Sequence, residues 1–446
     1  MKTRERTSAS LRWLAAWAAV WLVVAATAVL VHMLTFTKLS LVDEYQHVDY
    51  LDKTMSLEHV NGGERVGEVA MREQACRGMD LPGFELPPCD APQLTPEQFP
   101  GSGFNHTFAD PPTYYAITGP LSWVTKTVTG VDSIVTAARA IGVLWLGLGL
   151  LSVFLLARRL GADEWAAAGA TLLLASTPVV LGASATVTTD APLLAVGGVL
   201  TLLAVSTVQG RISPWWPALG AAAAMAFKTT SLTVVGMVTL FLLLTLLARR
   251  RAAKDAPGEE GRPRLGYAHV VAMLGAAAVP LVAWTVVTSA TSFPEVDDIP
   301  AGQMFKVDSI GWTQIAMSFR YLFTPVNNAD TAPFLRTDAV DLSELVVNVL
   351  LILGTAGVAW FGLRGELASR LGTAVFASMV LGGPALAVML FVAEGVSYTI
   401  PGRYGLSLLP AAAACVAVAA SRRPSGGPGL VVLGTLGMVA FLLAAA

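Results

Sequence analysis

The chain has 446 residues, of which 54% are hydrophobic and 13% charged, and its mean hydropathy is +0.62. Soluble chains carry about 25% charge, and half of that excludes a disordered chain, a nucleic-acid binder and an ordinary soluble enzyme. The 29 basic and 31 acidic residues leave a net charge of −2, too small for an overall field that selects charged partners.

An all-α polytopic membrane protein is expected, because a helix crossing a hydrocarbon core about 30 Å thick needs about 20 apolar residues. The first predicted span covers residues 14–37, behind a basic tail, residues 1–13, with Lys2, Arg4, Arg6 and Arg12. A basic head before an apolar run also describes a secretory signal. This run exceeds the about 7–15 residues of a signal core and no cleavage site precedes Lys38, so it reads as a retained span. Residues 38–132 are too acidic and Pro-rich for lipid and form a large first loop with juxtamembrane helices.

Apolar runs resume near 133–157, 164–183, 188–208, 214–228, 230–248, 267–288, 344–363, 371–393, 404–420 and 428–446. The expectation is about 11 transmembrane helices: spans two to seven within 133–288, a second outer loop at 289–343, and spans eight to eleven within 344–446. Lys and Arg in short loops mark the cytoplasmic side. With the N-terminus inside, that side holds Arg158, Arg159, Arg211, the basic linker 249–265, Arg364, Arg370, Arg422 and Arg423, whereas most acids fall outside. An integral protein of the cell membrane with an extracytoplasmic site is therefore expected.

The first loop opens Asp43-Glu44-Tyr45-Gln46-His47 and continues to Asp49 and Lys53. In a helix leaving the membrane, Asp43 and Glu44 occupy the first turn, where the dipole favours anions. Residues three and four apart share a face, so Asp43, Glu44 and His47 converge and Asp49 reaches Lys53. Adjacent carboxylates can hold a divalent cation or divide acid and base roles; the plainer alternative is a charge pair on a solvated helix, with a structural His.

Further along stands His106-Thr107-Phe108-Ala109-Asp110-Pro111-Pro112-Thr113-Tyr114-Tyr115. Pro-Pro enforces extended chain and then permits a helix start, and residues 113–128 suit an interfacial helix with Trp123 as a belt aromatic. Asp190 and Lys228 fall at span mouths, and Arg403-Tyr404 leads into the tenth span. Charge at the bilayer usually faces a cavity; Lys228 could also snorkel, while the fork of Arg403 suits a phosphate. Cys76 and Cys89 in an oxidising exterior fit a disulfide better than a zinc pair, Cys415 packs within a span, and Asn105-His106-Thr107 is a short sequon match.

These motifs, in order along most of the chain, resemble GT-C type integral-membrane glycosyltransferases of the protein-mannosyltransferase and aminoarabinose-transferase kind. Asp43-Glu44 with His47 resembles their first-loop acidic motif, and Pro111-Pro112-Thr113-Tyr114-Tyr115 their Pro-Pro stretch before the second span. The run from Ala138-Arg139 to Arg158-Arg159-Leu160-Gly161 is similar to that span. Ala226-Phe227-Lys228-Thr229 is similar to a Leu-Thr-Lys turn and Gly402-Arg403-Tyr404 to a late Gly-Arg-Tyr. The usual His-Pro-Pro reads Asp110-Pro111-Pro112, so either His106 or Asp110 takes that place. No large soluble C-terminal domain is seen, so acceptor recognition is expected from the outer loops or lipid.

The resemblance implies transfer of a sugar from a polyprenyl-phosphate-linked donor to a cell-envelope glycan, lipid or protein acceptor on the outer face, with inversion. Asp43 is the expected base, with Glu44 positioning the acceptor or a divalent cation. Arg403 and Lys228 are expected at the phosphate, and His47, His106, Asp110, Tyr114, Tyr115, Asp190 and Tyr404 among the substrate-binding groups. The rival readings are a transporter or flippase of a lipid-linked glycan and a non-catalytic envelope scaffold. Transporters place ionisable groups near mid-membrane, whereas these spans are nearly free of acids.

Overall fold

The computed structural model describes residues 2–255, 265–293, 305–326, 337–361 and 367–445. The linker at 249–265 and the second loop at 289–343 lie partly outside them. Helix makes up 76% and no strand occurs among the described residues, in keeping with the all-α expectation.

The helices in chain order are α1 (Lys2–Thr35), α2 (Glu44–Met55), α3 (Glu68–Arg77), α4 (Thr113–Thr129), α5 (Ile134–Arg159), α6 (Glu164–Ala175), α7 (Pro178–Ala185) and α8 (Leu193–Val208). They continue with α9 (Trp216–Phe227), α10 (Leu232–Asp255), α11 (Tyr267–Thr291), α12 (Trp312–Phe323), α13 (Asp338–Ala356), α14 (Leu367–Glu394), α15 (Leu409–Ala420) and α16 (Gly426–Ala445). Eight segments among the described residues are long and apolar enough to cross a bilayer, and the pair α6–α7, bent by 67°, can count as a ninth. The runs at 188–208 and 214–228 become α8 and α9, which fall below spanning length. All eleven apolar runs are helical, but three are bent or short. The cause at α6–α7 is local: Thr177 is extended and Pro178 occupies the first position of α7, where a missing N–H costs nothing but cannot extend the preceding helix.

One apolar core runs through α1, α5–α11 and α13–α16. A second packs the first loop onto the bundle end: Tyr45, Val48, Leu51, Ala70, Met71, Tyr114 and Tyr115 meet Val135, Ala138, Ile141 and Trp145 of α5. The predicted interfacial helix appears as α4, with Trp123 and Val128 exposed. A disulfide joins Cys76 to Cys89, and Arg77 of α3 donates to Ser133 Oγ at the start of α5 (2.7 Å) and to Thr136 Oγ1. Cys415 is buried and free.

Two glycines set spacings near the polar end. A Cβ at Gly142 of α5 would stand 1.8 Å from the Ser184 carbonyl oxygen of α7, and one at Gly197 of α8 would stand 2.0 Å from that of Ser407. Only glycine permits such backbone approach. The segments they bring together carry Arg139, Asp190 and Arg403.

Candidate functional site

The charged residues singled out along the sequence gather at one end of the bundle. They sit where α1 ends, α5 begins, α7 gives way to α8, α9 gives way to α10, and a 3-10 turn (Gly402–Leu408) leads into α15. Irregular backbone at membrane depth is tolerated where it is buried in protein or lines a cavity.

Asp43 and Glu44, neighbours in sequence, part company. Asp43 caps α2 in the left-handed conformation (φ 55°, ψ 12°), a rare state for a residue with a Cβ, and its side chain is exposed. Such strain tends to persist where the surroundings enforce it. Glu44 turns inward, 1% exposed, onto Arg139, which is 2% exposed. Arg139 Nε donates to Glu44 Oε1 (2.8 Å) and Nη2 to Oε2 (2.6 Å). The backbone N–H groups of Ser40 (2.7 Å) and Val187 (2.9 Å) also donate to this carboxylate. Burial alone would raise the Glu44 pKa, but Arg139 and the two amides outweigh it and hold it below the usual range. Arg139 in turn donates to the carbonyls of Phe36 and Lys38, 2.7 Å each. One ion pair thus ties together α1, α2, α5 and the loop before Asp190.

The expected convergence of Asp43, Glu44 and His47 on one face is corrected accordingly: Asp43 is the cap rather than part of the first turn, Glu44 points to α5, and His47 packs on α4. All four bonding positions of Glu44 are taken, so its carboxylate does not fit the role of ligand to a divalent cation shared with Asp43. Among the described residues no cluster of three or more His, Cys, Asp or Glu could hold a metal.

His47 Nδ1 lies 2.6 Å from the Tyr115 hydroxyl. Burial, reinforced by Lys228, pushes the His47 pKa down to about 3. Tyr115 stacks on Tyr50 (centroids 3.9 Å apart) and meets Tyr114 edge-on; burial pushes both Tyr114 and Tyr115 up.

Asp190 is the hub of the second cluster, 3% exposed. Lys228 Nζ donates to its Oδ1 at 2.6 Å, and Arg403 Nε lies 3.3 Å from its Oδ2. Both cations stand 5.5 Å from the Tyr404 ring, within cation–π range. Burial would raise Asp190, but Lys228 and then Arg403 prevail and hold it low. Lys228 therefore faces an acid and a ring, in place of snorkelling.

Asp110 joins this cluster: Thr189 Oγ1 donates to its Oδ2 (3.0 Å). Burial is the main cause that raises its pKa; Lys228 offsets part of this, while Asp190 and Asp43 add to it. The His106 pKa is lowered by burial, against the pull of Asp43. Asp110 thus sits with the cations, and His106 sits toward Asp43. The sequon asparagine, Asn105, is fully buried, donating to the Gln46 carbonyl (3.1 Å) and Asp49 Oδ2 (2.8 Å). Asp49 also accepts from Lys53 at 2.8 Å, as the helical spacing predicts.

Sequence reasoning missed Arg139 as a site partner and missed Thr189. Arg139 carried a signal, being an arginine inside the apolar start of a span, where charge needs a partner.

Fold and site together define a polytopic helical membrane protein that concentrates buried charge at one end of its bundle. Residues 120–284 match the family model described as dolichyl-phosphate-mannose-protein mannosyltransferase, a stretch that includes Arg139, Asp190 and Lys228 but stops short of Arg403 and begins after Asp43. In fold the chain is similar to the crystal structure of ArnT from Cupriavidus metallidurans bound to undecaprenyl phosphate, with 17% identity and a TM-score of 0.48 over 95% of this chain. It spans 62% of the length of that protein. No curated protein sequence matches.

Proposed function

We propose that the protein is a membrane glycosyltransferase that moves a sugar from a polyprenyl-phosphate-linked donor to an acceptor on the outer face of the cell membrane, with inversion. The observation that carries this reading is the meeting of Lys228 and Arg403 around Asp190 and Tyr404, beside Asp110 and within electrostatic reach of the exposed Asp43. The two cations converge where a lipid phosphate would arrive from the bilayer, with Asp190 between them and Asp110 beside it. The family match over 120–284 supports the same chemistry.

In this reading the acceptor hydroxyl oxygen bonds to the anomeric carbon as the anomeric C–O bond to the phosphate breaks. The bonding electrons leave on the phosphate, where Lys228 and Arg403 meet the growing charge, and Asp43 takes the hydroxyl proton. Glu44 acts through Arg139 as a positioning residue that holds the strained cap. Asp110, His47, His106, Tyr114 and Tyr115 shape the walls.

The test is transfer from a radiolabelled polyprenyl-phosphate sugar in proteoliposomes, beside direct polyprenyl-phosphate binding. Arg403→Ala should weaken both binding and turnover. Lipid transport by the wild-type protein with no sugar transfer would sink the enzyme reading and favour a flippase.

A further inference from the structure

An open cavity of about 530 Å³ adjoins the ionic cluster, lined by Phe305, Gln314, Ser397, Tyr398, Thr399, Pro401, Arg403 and Tyr404. Its size falls in the about 300–1,000 Å³ range of small-molecule sites. The walls are stitched together. The Ser397 N–H donates to the Phe305 carbonyl (2.8 Å), the Val307 N–H to that of Gly395 (2.9 Å), and the Ile400 N–H to Ser318 Oγ of α12 (3.0 Å). Ser397 Oγ is buried with no hydrogen-bond partner among the described residues.

The lining selects a chemistry. Phe305 and Tyr398 present rings 5.6 Å apart and tilted by 59°, and Tyr404 closes the side toward Lys228. The lining also carries the Gln314 amide and the Ser397 and Thr399 hydroxyls. Among the described residues Arg403 is the one charged residue of the lining, and it already pairs with Asp190. A phosphate or carboxylate would find no second cation among the described residues of the lining. A sugar ring fits: its C–H faces pack on aromatic faces, and its hydroxyls both donate to and accept from Gln, Ser and Thr side chains. Trp312, 85% exposed at the start of α12, is of the residue type enriched at membrane–water interfaces.

We propose that this cavity binds a neutral sugar of the acceptor, so that the acceptor is a glycan rather than a bare lipid or a protein. The proposal rests on the glycosyltransferase reading, in which the donor phosphate takes the other side of Arg403. Tyr404 and Arg403 then form the wall between the two substrates, and Gln314, Ser397, Tyr398 and Thr399 set acceptor specificity.

The experiment uses the full chain in nanodiscs and a panel of methyl hexosides and methyl pentosides, read by saturation-transfer difference NMR, beside a Ser/Thr-containing peptide. At least one glycoside should give a signal that falls fivefold or more in Gln314→Ala and in Tyr398→Leu, with polyprenyl-phosphate affinity and melting temperature unchanged in Gln314→Ala. No glycoside signal from a wild-type protein that transfers sugar would overturn the cavity assignment and leave the enzyme reading standing. A signal indifferent to both variants, or one given by the peptide instead, would overturn it as well. A signal lost in both variants of a protein that transfers no sugar would end the acceptor role through failure of the enzyme reading.

Discussion

Arg139 grips Glu44 through two hydrogen bonds of 2.8 and 2.6 Å, although the residues stand 95 positions apart and neither sees solvent. Removing one partner of a buried pair strands the other charge and costs about 3–5 kcal/mol, whereas replacing both with apolar groups can be neutral. Arg139→Met and Glu44→Gln should each lower the melting temperature of the purified protein sharply. The double variant Glu44→Leu with Arg139→Met should recover much of the loss. A single variant that melts like the wild type would refute the clasp. The Glu44 pKa is held below its unfolded value, so the pair's contribution is present above the ordinary carboxylate range. It is lost as pH falls through the lowered folded value.

His47 offers a second pH signature. Its folded pKa of about 3 lies below the ordinary 6.5, so the unfolded chain binds the proton first on acidification. The associated stability is fully present above pH 6.5 and fades as pH falls toward about 3. Melting temperature should therefore drop between pH 7 and pH 4.5, and His47→Asn should flatten part of that drop. Equal slopes for the two proteins would show that His47 titrates normally.

Sidedness can be read with impermeant maleimide on intact cells. Leu57, at the end of α2, is 96% exposed, and Arg211, beyond α8, is also exposed. Native thiols stay silent, because Cys76 and Cys89 are bonded and Cys415 is buried. Leu57→Cys should label at once and Arg211→Cys only after permeabilisation. The reverse pattern would invert the proposed orientation.

What the sequence disclosed follows from the range of each interaction. Apolar run length is local, and all eleven runs became helices; the bend at Thr177-Pro178 and the shortness of α8 and α9 arise from backbone breaks that run length does not register. The Asp49–Lys53 pair is four residues apart and legible by helical spacing. Asp190, Lys228 and Arg403 each stood out as charges at span mouths, but their meeting depends on how α8, α9 and the Gly402–Leu408 turn pack. The separate fates of Asp43 and Glu44 were hidden for the same reason, since the residue that decides them sits on α5.

The strained cap gives the sharpest test of mechanism. Asn shares the tolerance of Asp for the left-handed region, so Asp43→Asn should leave the fold and the Glu44–Arg139 clasp in place while removing the proton acceptor. Turnover in the proteoliposome transfer assay should fall by about 10²–10⁴-fold, with polyprenyl-phosphate binding and melting temperature near wild type. Asp43→Gly relieves the backbone strain at φ 55° and should raise the melting temperature slightly, yet be as inactive as the Asn variant. If the Gly variant alone lost activity, the residue would matter for its backbone shape and its carboxylate would not be the base. Near-normal transfer by Asp43→Asn would remove Asp43 from the chemistry and move the search for a base to Asp110, the other carboxylate facing the cations.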